Sequence, residues 1–128
     1  MILMIRNEST LLSLRPILSL PDNDNTSTIE KFQNATLRPI LKMQNDLLVT
    51  LVNDAPHFNQ IAHHVSTADE YKSEVITFLK QQTTIKNQII GLVIAHFTME
   101  EYAMYAPHRN ELNKRIVQMA GERVALWK

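Results

Sequence analysis

Phe97-Thr98-Met99-Glu100-Glu101-Tyr102 is the stretch on which the fold turns. Thr98 and Glu101 stand three apart in capping-box form. In that arrangement the threonine hydroxyl accepts from a free backbone N–H and the glutamate reaches back to the N–H of the cap. Phe97 and Tyr102 have the spacing of a hydrophobic staple around the same cap. One helix is therefore predicted to stop at Phe97 and another to start at Thr98.

Upstream, Thr67-Ala68-Asp69-Glu70 has the same capping form. Apolar residues then recur at Tyr71, Val75, Phe78, Leu79, Ile85, Ile89, Leu92 and Val93, with His96 closing the stripe. Gaps of three and four place them on one face, which predicts a single helix over 68–97. Ile90 and Ile94 add a second apolar face, so the end of that helix must be covered on several sides. Further upstream, Ser27-Thr28-Ile29-Glu30 opens another long helix, with Phe32, Leu37, Ile40, Leu41, Leu47, Leu48, Leu51 and Val52 on its stripe. Pro39 lies inside it and predicts a kink near 35–39, because proline lacks an N–H and crowds the preceding turn. Asn53-Asp54-Ala55-Pro56 marks a break, and 57–65 reads as a short helix or a continuation.

Downstream, Pro107 limits the helix begun at Thr98 to about two turns. A last helix carries Leu112, Ile116, Met119, Ala120 and Leu126 on one stripe, with Trp127 at its end. No segment alternates apolar and polar residues over a strand's length. The expected fold is all-α: an antiparallel helical bundle of two long and two or more shorter helices over 27–128, preceded by an N-terminal arm and loop over 1–26. The arm is interrupted by Pro16 and should lie extended or as a short helix on the core, before the turn formers Pro21-Asp22-Asn23-Asp24-Asn25.

Composition narrows the function classes. Thirteen basic residues balance thirteen acidic ones, whereas a generic nucleic-acid binder is strongly basic. The absence of cysteine excludes a thiol nucleophile and a cysteine zinc site and fits a cytoplasmic protein. With glycine only at 91 and 121, neither a P-loop nor a dinucleotide fingerprint can be written. The most apolar window, 89–97, is about half the length needed to span a bilayer, so no membrane partner is expected. The pentapeptide Leu14-Arg15-Pro16-Ile17-Leu18 recurs as Leu37-Arg38-Pro39-Ile40-Leu41, with no third copy to make a repeat architecture.

A helix over 68–97 would be about 45 Å long, longer than the roughly 36 Å body expected of a compact chain of this size. That mismatch favours a homodimer, with Ile90, Gly91, Ile94 and Ala95 at the interface. Gly91 and Ala95, four apart, also suggest that another backbone crosses closely there.

The candidate metal ligands are His57, His64, His96, Glu100 and His108, but a zinc site needs three or four such groups converging. His63 and His64 are adjacent and point about 100° apart on a helix. The Glu-x-x-His pair of di-iron bundles does not occur. Glu100, Glu101 and Tyr102 near His96 or His108 could supply proton transfer, yet acidic residues in a first helical turn are expected from the dipole alone. Arg109, Lys114, Arg115, Arg123 and Lys128 give the last helix a basic character without a recognition-helix pattern, which reads as a solvated face.

The block Thr28-Ile29-Glu30-Lys31-Phe32-Gln33-Asn34-Ala35-Thr36-Leu37-Arg38-Pro39-Ile40-Leu41-Lys42-Met43-Gln44-Asn45-Asp46-Leu47-Leu48 resembles the hallmark of a family of short, uncharacterised helical bacterial proteins. The segments 91–102 and Leu112-Asn113-Lys114-Arg115 are similar to the same family, so the resemblance covers most of 27–120. Some members carry the label glyoxalase. That label implies a metal-dependent lyase whose His and Glu ligands come from strands of βαβββ modules. The strand pattern is missing here, so the resemblance implies a helical fold and transfers no catalytic residue. The expected function is a non-catalytic helical protein-interaction module that self-associates through its second long helix, with no cofactor and an open question as to any small-molecule ligand. The alternative is a metal-dependent, glyoxalase-like enzyme using the His and Glu residues named above.

Overall fold

The computed structural model describes residues 6–18 and 27–126; the turn-former run 21–25, Trp127 and Lys128 lie outside them. Among the described residues the structure is all-α, with no strand. The arm forms one short helix, α1 (Glu8–Ser13), capped by the Asn7 side chain. The first predicted long helix is built from α2 (Thr28–Phe32), a π-helical turn (Gln33–Leu37), α3 (Arg38–Met43) and α4 (Asn45–Asn53). Ser27 caps α2 by accepting from the Glu30 N–H, as its sequence position predicts. The expected kink takes the form of the π turn: it widens the backbone around Ala35, four residues before Pro39, where the proline ring would otherwise strike a carbonyl.

A short 3-10 helix (Phe58–His63) follows, so 57–65 does not continue α4. Its cap, His57, holds a left-handed backbone with φ of 70°, unusual for a side chain other than glycine. Thr67 then caps α5 (Ala68–Gln81). Here the glutamate half of the capping box shifts by one residue, since Glu70 accepts from the Ser66 N–H rather than from Thr67.

The predicted helix over 68–97 is two helices. Gln82 adopts an extended backbone, with ψ of 96°, and separates α5 from α6 (Thr83–Ile94). Neither piece outruns a compact body, so the length argument for a homodimer disappears. Gly91 and Ala95 are exposed, and a Cβ built on Gly91 would have nothing within 4 Å. Among the described residues no backbone crosses there. Ile90 and Ile94 are half-buried against the core instead of being apolar on an open face.

The close crossing lies elsewhere. α7 (Met99–Tyr105) runs through a 3-10 turn (Ala106–His108) at Pro107 into α8 (Arg109–Leu126). α8 is the hub of the fold, touching α4, α5, α6 and the π turn, with α5 as its broadest neighbour. Gly121 of α8 is buried, and a Cβ there would sit 2.6 Å from Cγ1 and 3.2 Å from Cα of Ile76 on α5. Only glycine lets these two backbones meet at that spacing. The stripe residues Leu112, Ile116, Met119 and Ala120 join Phe32, Leu37, Leu48, Val75, Leu79, Ile89 and Val93 in one core. Leu47 and Leu126, read as stripe residues, are exposed.

Candidate functional site

Two places gather polar side chains from distant parts of the chain. The first is the α6–α7 junction. Thr98 accepts from the Glu101 N–H at 3.1 Å and the Glu101 carboxylate accepts from the Thr98 N–H at 2.8 Å, the full capping box predicted from the sequence. The staple is rearranged: the Phe97 ring meets Phe32 edge-on at 5.6 Å and Tyr105 at 5.4 Å, while the Tyr102 ring meets Tyr105 at a tilt of 48°.

Glu101 does a second job that the sequence does not announce. Both terminal nitrogens of Arg15 donate to its carboxylate, at 2.6 and 2.7 Å, and the Thr36 hydroxyl of the π turn donates at 3.1 Å. The two charged side chains are 7% and 15% exposed, so this is a desolvated pair. Arg15 also donates to the His96 carbonyl, Arg6 donates to the carbonyls of Ala95 and Phe97, and Glu8 accepts from the Met99 N–H. The arm is thereby fastened to the open end of α6 and the start of α7 by charged hydrogen bonds. Its own apolar residues Leu12, Leu14 and Ile17 remain exposed.

Burial pushes the Glu101 carboxyl upward, but the hydrogen bonds from Arg15 and the Thr98 backbone, with the Arg15 charge and the Thr36 hydroxyl, outweigh it. The net result is a value below the ordinary 4.5. His96 is also lowered, first by burial and then by the cations Arg15 and Arg6. The amide nitrogen of Gln44 lies 2.9 Å from His96 Nε2, making Nε2 an acceptor on a neutral ring. Nδ1 is buried with no partner among the described residues. With Nε2 engaged by Gln44 and the carboxylate by Arg15, Thr36 and a backbone N–H, neither group is free to take a substrate proton. The cluster is a clasp.

The clasp has a pH signature. Between the lowered native value of His96 and its unfolded value near 6.5, the unfolded chain binds the extra proton. Stability is therefore full above about pH 7 and falls as pH drops through about 6.5. Glu101 ionises more readily in the native state, so its contribution is full above the unfolded value and is lost as pH falls through the lower native one. Urea unfolding at a series of pH values is expected to show both losses, with His96→Gln abolishing the upper one alone. A wild-type profile level from about pH 7 to 5 would contradict the neutral native ring.

The other candidate ligands do not assemble. His57, His63, His64, His108 and Glu100 are exposed. Among the described residues, no group of three His, Asp or Glu side chains is placed to hold a metal ion. Nor do the predicted basic residues form one face. Arg109 donates to the Tyr102 hydroxyl and lies over the Tyr105 ring, and Arg123 reaches Asn45 at 3.4 Å. No helix among the described residues is long and apolar enough to cross a membrane.

The second place is an open groove of about 1140 Å³ between α6 and α8. Lys114 and Arg115 line it from α8, joined by Lys80 from the end of α5 and Lys86 from the first turns of α6. Among the described residues Glu111 is its single carboxylate, already engaged with Arg115 at 3.3 Å. Among the same residues Lys80, Lys86 and Lys114 have no carboxylate partner. The groove thus carries three net positive charges in a chain of zero net charge. Lys80 and Lys86 were missed in the sequence, where they stand alone on polar helix faces far from 114–115. A smaller cavity of about 380 Å³, beside His57, has a floor of Leu51, Phe78 and Ile85. Compared with family models, with curated proteins and with solved structures, the chain has no match.

Proposed function

We propose that this chain is a non-catalytic binding module that holds an anionic ligand in the groove between α6 and α8. The observation that supports this most directly is the meeting of Lys80, Lys86, Lys114 and Arg115 around one concavity with a single, already engaged counter-charge. Like charges brought together repel one another, and a concave wall between helices concentrates their field. An anion entering the groove relieves that repulsion. The half-buried Ile90 and the buried Val117 in its lining give it an apolar wall against which a ligand can shed water.

The expected test is calorimetric titration with inorganic tripolyphosphate at low and at physiological ionic strength. Binding should weaken as salt rises, because the lysines are at the surface. Lys86→Glu combined with Lys114→Glu should weaken it by about tenfold or more, since two attractions become repulsions. Absence of binding at low salt, or binding indifferent to the double substitution, would remove this reading. Self-association through α6 rests only on the exposed strip at Gly91 and Ala95; sedimentation of the same samples distinguishes it, because an interface there predicts a concentration-dependent dimer regardless of anion.

A further inference from the structure

We infer that the groove is built for a phosphorylated polyol, a ligand carrying both phosphate groups and free hydroxyls. This rests on the anionic-ligand reading above and specifies its chemistry. Amides share the groove with the cations. Asn113 lines it from α8, and its Oδ1 accepts from the Tyr105 hydroxyl at 2.6 Å. Tyr105 is 1% exposed and its ring is fixed among Phe97, Tyr102 and the Arg109 guanidinium. The Asn113 amide is therefore held in one orientation, with its carbonyl spent inward and its –NH2 left as the group available to a ligand.

Gln118 is held the opposite way. Its Nε2 donates to Glu122 at 3.2 Å, which leaves its carbonyl oxygen as an acceptor in the lining. An acceptor beside three unpaired lysines does nothing for a bare phosphate, whose oxygens only accept at full ionisation. It matches a ligand hydroxyl, which can donate to Gln118 while other ligand oxygens accept from the Asn113 –NH2 and the lysines. Asn87 and Asn110 add two further amides able to serve hydroxyls from either side. Among the described residues no aromatic side chain lines the groove, so these offer no stacking platform for a nucleobase. Its volume of about 1140 Å³ exceeds what a lone phosphate fills and leaves room for a ligand bearing several substituents.

The experiment compares two soluble probes of similar charge on the full chain: inositol trisphosphate, which carries hydroxyls, and inorganic tripolyphosphate, which does not. The expected result is at least tenfold tighter binding of the inositol phosphate. Gln118→Ala should shrink that ratio severalfold, because its acceptor serves only the hydroxyls, whereas Asn113→Ala, which removes a donor open to hydroxyl and phosphate alike, should weaken both probes. Phosphatidylcholine vesicles carrying phosphatidylinositol bisphosphate separate the two sources of this chemistry. Capture by the vesicles, reversed by the soluble probe, identifies a lipid headgroup, and binding of the soluble probe alone identifies a free metabolite. Equal affinity for the two soluble probes overturns the polyol inference while leaving the anion reading intact, and tighter binding of a short oligothymidylate overturns it as well. Failure of every anion to bind overturns both.

Discussion

Gly121→Val is expected to lower the unfolding free energy by about 3 kcal/mol, at the upper end of what overpacking costs a tight core. A Cβ at this position would already lie 2.6 Å from the Ile76 side chain and 3.2 Å from the Ile76 Cα, and valine adds two γ-methyls to that obstruction. The obstruction is a branched side chain close to its own backbone, so relief requires α5 and α8 to separate. That separation loosens Leu79, Ile116 and Ala120 as well, all in the same core. Gly121→Ala should cost less, because the gain in helix propensity of about 1 kcal/mol offsets part of the clash. Urea unfolding measures both. A valine variant within about 0.5 kcal/mol of the parent would mean that the two helices are not held at the spacing described.

Glu101→Ala is the second large effect, about 3 kcal/mol, because three structural elements lose one partner at once. Helix α7 loses the reciprocal half of its cap, the Thr36 hydroxyl loses its acceptor, and the Arg15 guanidinium, 7% exposed, keeps its charge without its carboxylate. The arm then has reason to leave, so the backbone amides of α1 should lose their hydrogen-exchange protection while those of α5 and α8 keep theirs. Glu101→Gln retains the shape and one acceptor oxygen and should fall between. A double-mutant cycle with Arg15→Ala isolates the pair: strict additivity of the two losses would show that Arg15 and Glu101 do not stabilise one another.

What could be read in advance followed from local chemistry. Thr98, Ser27 and Thr67 mark helix starts because each hydroxyl accepts from the free N–H three residues on without help from the rest of the fold, and at Thr98 the Glu101 carboxylate completes the box. The break at Gln82 was illegible for the converse reason. Lys80-Gln81-Gln82-Thr83-Thr84 contains no glycine, proline or capping acid, and the stripe from Val75 through Ile89 to Val93 continues across it. The chain breaks there while α5 and α6 both reach α8, a demand set by tertiary contact. Gly91 drew attention as the glycine in an apolar helix, yet Gly121, in a stretch of mixed polarity, carries the crossing; a glycine's use depends on what stands opposite it. The groove was equally hidden. Surface lysines have no local signature of function, and it took the folding of α5, α6 and α8 to bring residues 80, 86 and 114 around one space.

The fastening of the arm sets an order of events at birth. Arg15 and its carboxylate partner are 86 residues apart, and Arg6 and its carbonyl partners are farther apart still. At about 5–20 residues per second, a ribosome takes on the order of ten seconds to deliver the second half of that clasp after the first. The arm, made before its partners, is thus among the last to find its seat. While it waits, the guanidinium and carboxylate that it offers the clasp are well solvated, and its apolar Leu12, Leu14 and Ile17 gain no cover from docking.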